Sequence, residues 1–107
     1  MTLTYKVLAQ GQLSNVAGVL LTVPAGHQYI IKQIRLVNAT GGTNRTVQLY
    51  VNGTAAANSI YPSTTLAAGT LLDDVGTITL NAAETLQGVA AAATEITFTV
   101  CGLDITI

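Results

Sequence analysis

Apolar and polar positions alternate with period two through most of this chain, while the three-to-four spacing of an amphipathic helix is almost absent outside short alanine-rich stretches. Thr4-Tyr5-Lys6-Val7-Leu8-Ala9 is a first strand, closed by Gln10-Gly11-Gln12. Gly18 to Val23 is a second, stopped by Pro24-Ala25-Gly26 because proline cannot donate to a ladder. His27 to Asn38 is the longest run. Its alternation, with Ile34 and Leu36 against Gln33 and Arg35, predicts a half-buried central strand.

A turn over Ala39 to Asn44 leads to Thr46–Val51, and the following Asn52-Gly53 dipeptide predicts a tight hairpin. Ser59–Pro62 and Leu66–Leu72 are expected as shorter strands divided by Pro62 and Gly69, with Asp73-Asp74 as a solvated turn before Gly76. Thr77–Leu80 and Thr85–Ala90 follow, then Glu95–Gly102, where Ile96, Phe98 and Val100 point inward and Thr97 and Thr99 outward. Leu103–Ile107 is a last short strand, and Ala90 to Ala93 is too short for an independent helix. Eight or more short strands at spacings of about ten residues predict an all-β, single-domain antiparallel β-sandwich over residues 1–107, jelly-roll-like in its connections.

Charge changes the picture. Only 8 % of the 107 residues are charged, four basic and five acidic, where an ordinary soluble domain carries roughly a quarter. The surface is left to Thr, Asn, Gln, Ser and Ala, which lose little on desolvation when they find partners. Such a skin suits contacts between subunits, so an oligomer inside a larger assembly is expected. Lys6, Lys32, Arg35 and Arg45 are too few and too scattered to neutralise phosphates, so nucleic acid is not an expected partner. No run of eighteen apolar residues indicates a membrane span, and Met1 to Lys6 lacks the pattern of a secretory leader.

Catalytic chemistry has no constellation to rest on. His27 is the single imidazole, without a nucleophile elbow in the sequence, and is expected as an ordinary loop histidine. Adjacent Asp73 and Asp74 would face opposite sides of a strand and could not share a proton. One His and one Cys do not make a zinc set, so no metal, cofactor or catalytic residue is expected and the chain is not expected to be an enzyme. Glu84, Glu95 and Asp104 are expected at strand ends or edges, where charge discourages unwanted pairing. The sequons at Asn38, Asn44 and Asn52 are read as products of a Thr- and Asn-rich turn composition.

Contact candidates are Tyr5, Lys6, Tyr61 and Cys101. Tyrosine buries a large ring and keeps a polar tip, and Cys101 shares its strand parity with Thr97 and Thr99, which places it on a subunit face opposite the core residues.

Tyr5-Lys6-Val7-Leu8-Ala9-Gln10-Gly11, Leu21-Thr22-Val23-Pro24-Ala25-Gly26, Ile34-Arg35-Leu36-Val37-Asn38 and Ile96-Thr97-Phe98-Thr99-Val100-Cys101-Gly102 together resemble a family of small tailed-phage virion proteins. The family ending prefers an aromatic where Cys101 stands, and Gly53 to Gly76 has no counterpart. The resemblance implies a β-sandwich at the capsid surface of a bacteriophage virion. There it would be a capsid decoration or cement protein that works as a homotrimer and binds the major capsid protein. A tail, baseplate or fibre component, or a glycan-binding module exposing tyrosines, is the alternative.

Overall fold

The computed structural model describes residues 1–107 as nine strands and one 3-10 turn. They are β1 (Thr2–Gln12), β2 (Gly18–Thr22), β3 (His27–Asn38), β4 (Arg45–Val51), β5 (Ser59–Leu66), β6 (Leu71–Asp74), β7 (Ile78–Leu80), β8 (Thr85–Ala90) and β9 (Ile96–Thr106), with the turn at Ala56–Asn58. One sheet runs β1-β9-β3-β6, with β7 also on β3, and the other runs β2-β8-β4-β5; every pairing is antiparallel. The pairs are nested, first with last and β4 with β5 innermost, which is the winding of a jelly roll.

The core lies between the sheets. Leu36, Leu49, Leu80, Leu86, Ile31, Ile96 and Val100 are wholly buried there, with Phe98 and Tyr29 beside them. These residues alternate with Thr, Gln and Arg along each strand because successive side chains of an extended backbone face opposite ways. Asn38 is the one fully buried polar side chain. Its amide donates to the carbonyls of Leu66 and Thr43, both at 2.9 Å, and its oxygen accepts from the Thr40 N–H and hydroxyl, so the group keeps its partners in an apolar setting.

Several boundaries differ from the expectation. β5 continues through Pro62, because β5 is the edge of its sheet and the register against β4 shifts between Thr64 and Tyr61, so no ladder donor is lost there. The β4–β5 connection runs over residues 52–58, with Asn52 and Gly53 both at positive φ, and is longer than a two-residue hairpin. Asp73 and Asp74 lie in β6, paired across from Arg35 and Ile34, and do not form a turn. His27 is the first residue of β3, not a loop residue. The strands expected over Glu95–Gly102 and Leu103–Ile107 are a single β9, flanked on both sides by other strands, so Asp104 lies on a central strand and not at an edge.

Gly102 explains that last misreading. Both neighbours of β9 bulge beside it: β1 between Val7 and Ala9, and β3 between Ile31 and Gln33. A Cβ at Gly102 would overlap the Ile30 carbonyl oxygen and lie 2.9 Å from its carbon and from Ile31 Cα. Before this point the even positions of β9, Ile96, Phe98 and Val100, are the apolar ones and face the core. After it the odd positions, Leu103 and Ile105, are apolar, while the inward position carries Asp104. The strand does not break there; its apolar side changes face. The bulge in β3 acts differently: it changes which positions face inward, Tyr29 and Ile31 before it and Ile34, Leu36 and Asn38 after it, and the apolar side stays on the core.

Candidate assembly surface

Past Gly102, β1 and β9 present an inverted surface. Cross-strand partners share a face, so the pairings Leu3 with Ile105, Tyr5 with Leu103 and Val7 with Cys101 place all six side chains on the outward side of the sheet. On β3, Ile30 pairs with Leu103 and extends the row. Leu3, Tyr5 and Val7 expose 57 %, 62 % and 51 % of their surface, whereas Ile105 is covered between its neighbours. Scattered exposed apolar residues are ordinary, whereas these three form a contiguous row along one strand.

The inward side of the same segment is polar. Asp104, only 8 % exposed, receives His27 Nδ1 at 2.7 Å and Lys6 Nζ at 3.1 Å, from β3 and β1 on either side. The hydrogen bond from His27, helped by Lys6, holds the Asp104 carboxyl below its usual range although desolvation opposes it. Thr2 and Thr4 continue this polar side along β1.

Elsewhere charge is consumed within the chain. Asp73 accepts from Gln33 Nε2 at 2.8 Å and Arg35 at 3.2 Å, and Arg45 grips Glu95 through two guanidinium nitrogens. Glu84 accepts from the Asn81 N–H at 2.6 Å and Asn52 Nδ2 at 2.7 Å; Asp74 accepts from the Gly76 N–H at 2.7 Å. These donors hold Asp73, Glu84 and Glu95 below the usual carboxylate range. Lys32, on the bulge of β3, is the one basic side chain without an acidic partner.

Of the residues singled out from sequence, Tyr5, Lys6 and Cys101 meet on β1 and β9, with Tyr5 and Cys101 outward and Lys6 inward. Cys101 is a half-buried free thiol on the side of Thr97 and Thr99. Tyr61 is elsewhere, partly buried against the core on β5, and its hydroxyl pKa is raised by burial first and then by the Asp74 carboxylate of the facing sheet. Sequence reasoning missed Leu3, Val7 and Leu103. The signal was present in the Leu3-Thr4-Tyr5-Lys6-Val7 and Leu103-Asp104-Ile105 alternations, each apolar at odd positions.

No family model matches the chain, and no curated protein matches it by sequence. Solved structures do resemble it. A subunit of Bacillus endospore appendages, a family of disulfide-linked pili, superposes with a TM-score of 0.54 at 16 % identity, over 99 % of this chain and 89 % of that one. A chain of infectious bursal disease virus, Gx strain, matches 98 % of this chain and 33 % of its own length at 15 % identity, with a TM-score of 0.48. At such identities the appendage subunit establishes a shared fold.

Proposed function

We propose that this protein is a structural subunit of an ordered extracellular or virion assembly, and specifically a bacteriophage capsid decoration protein that clamps neighbouring major-capsid subunits. The observation that carries the reading is the outward Leu3–Tyr5–Val7 row on a molecule whose acidic side chains are all engaged by its own donors. Desolvating that surface uncovers no unpaired carboxylate, so it can be covered at little electrostatic cost. A fold shared with a pilus subunit supports a role in repeated contacts. The sequence resemblance narrows the reading to tailed-phage particles.

Mechanistically, many copies binding only the assembled shell stabilise it by mass action. Three copies gathered on the shell into a homotrimer at its threefold positions are one arrangement that accomplishes this. A glycan-binding role is less favoured, because the tyrosines are dispersed: Tyr5 outward on β1, Tyr29 in the core, Tyr50 on Gln48 and Tyr61 between the sheets. The test is cosedimentation of purified protein with expanded shells that lack it. Saturable binding at a fixed ratio to the major capsid protein, with greater heat resistance of the shell, is the expected result. Absence of binding, together with absence of the chain from purified particles by mass spectrometry, would overturn the proposal.

A further inference from the structure

Each sheet has two outer strands, and three of the resulting edges carry devices that discourage pairing. β2 is five residues long with an irregularity between Val19 and Leu21. β5 contains Pro62 and two register shifts. The edge formed by β6 and β7 consists of pieces of four and three residues, the first bearing Asp73 and Asp74. β1 is different: eleven residues, no proline, and a regular register from Thr2 to Val7. Its single charge, Lys6, is paired with Asp104 on the inward side, so no unpaired charge lies along this edge.

We propose that this edge is filled by β1 of a second copy, running antiparallel about a twofold axis at Tyr5 so that the two β1-β9-β3 sheets become one. A twofold axis normal to the sheet keeps odd residues opposite odd ones, as the outward row requires. With the axis at Tyr5, Leu3 lies opposite the partner's Val7, the two Tyr5 rings meet, and Lys6 lies opposite the partner's Thr4. Moving the axis to Lys6 would set two lysines directly across from one another, which is destabilising. The paired segment ends at Leu8, where β1 bulges away. The joined row is continuous with Leu103, Cys101 and Ile30 in both copies.

Its size fixes its strength. Leu3, Tyr5 and Val7 together expose roughly 300 Å² per copy, short of the roughly 800 Å² per partner of a stable complex. Pairing is therefore expected to be reversible in solution and to become permanent only where a lattice holds the copies side by side. The contact goes beyond the decoration reading and does not depend on which particle contains the protein.

Sedimentation equilibrium across a wide concentration range tests it. The native chain is expected to move reversibly between the chain mass and twice that mass, and Tyr5→Lys to weaken pairing by about 10- to 30-fold. Because Tyr5 is exposed, circular dichroism of Tyr5→Lys should stay native. Register is tested in a Cys101→Ser background. Tyr5→Cys should oxidise to a covalent pair, while Leu3→Cys should not, its counterpart being displaced by about four residues, or roughly 13 Å, along the strand. A monomer at every concentration, an oligomer indifferent to Tyr5→Lys, or cross-linking of Leu3→Cys as fast as Tyr5→Cys would each overturn the proposal. Shell binding by a strictly monomeric protein would sink this contact while leaving the decoration reading intact.

Discussion

Replacing Gly102 by alanine is expected to destabilise the fold out of proportion to one methyl group. The new Cβ would overlap the Ile30 carbonyl oxygen and sit 2.9 Å from backbone atoms of Ile30 and Ile31, none of which can rotate away. Relief requires β3 and β9 to separate at the point where both flanking strands already bulge. Overpacking costs about 1–3 kcal/mol, and weakening two ladder hydrogen bonds adds about 1 kcal/mol each. Alanine returns about 0.5–1 kcal/mol of the backbone entropy that glycine loses. The net loss is about 2–4 kcal/mol, a large part of the roughly 5–15 kcal/mol that holds a domain of this kind. At about 4–8 °C per kcal/mol, the melting temperature should fall by roughly 8–32 °C. Thermal melts followed by circular dichroism measure this, with Gly42→Ala as control because its Cβ would meet nothing within 4 Å. Equal melting temperatures for the two variants would refute the close-approach argument.

Other substitutions address the core and the charges. Asn38→Ala strips the donor from the Leu66 and Thr43 carbonyls and should cost about 2–4 kcal/mol in urea unfolding; Asn38→Asp, which sets a buried carboxyl oxygen against the same two carbonyls, should cost at least as much. Leu49→Ala, in the middle of the core, should cost about 2–5 kcal/mol with an unchanged denaturant slope. The pH dependence has a definite sign. Asp104, Asp73, Glu84 and Glu95 all have folded pKa values below their unfolded ones. Their contribution is therefore complete above the ordinary carboxylate range of about 4 and is lost as pH falls through the lowered folded values. Melting temperature against pH should be level through neutrality into mild acid, then fall, with a shallower fall in Asp104→Asn.

The jelly-roll frame was legible because burial on one face imposes period two, and the inward residues of β4, β8 and the first half of β9 follow it without exception. What could not be read was the exchange of faces at Gly102. A pattern argument takes a change of apolar parity as the end of a strand, since it carries no knowledge of neighbours that bulge to accommodate a side-chain-free residue. The same step separated Asp104 from Lys6 and His27, which are far apart in sequence and joined by register alone. Tyr5, Lys6 and Cys101 were singled out by residue chemistry, and register brings them together on β1 and β9 with Lys6 turned inward to Asp104. Tyr61 was selected on the same chemistry, but its ring packs against the core, where Asp74 of the opposite sheet accounts for its polar tip.

The inversion also bears on why the first six residues of β1 are ordered as strand at all. Thr2 to Val7 are exposed on both sides of the sheet, so the segment gains little from the core and is held chiefly by its ladder to β9 and by the Lys6–Asp104 contact. A ladder on one side with few buried apolar contacts places a segment at the low end of local stability. Amide exchange should consequently be fast along Thr2–Val7 and slow along β9 in the dilute protein, which separates two origins of order in the same pair of strands. Covering the outward row by another molecule would add burial to the weaker strand only, so protection should rise selectively there on assembly. Uniform slow exchange across β1 in a dilute monomer would mean that the ladder alone suffices, and the exposed row would lose its significance as an unfinished surface.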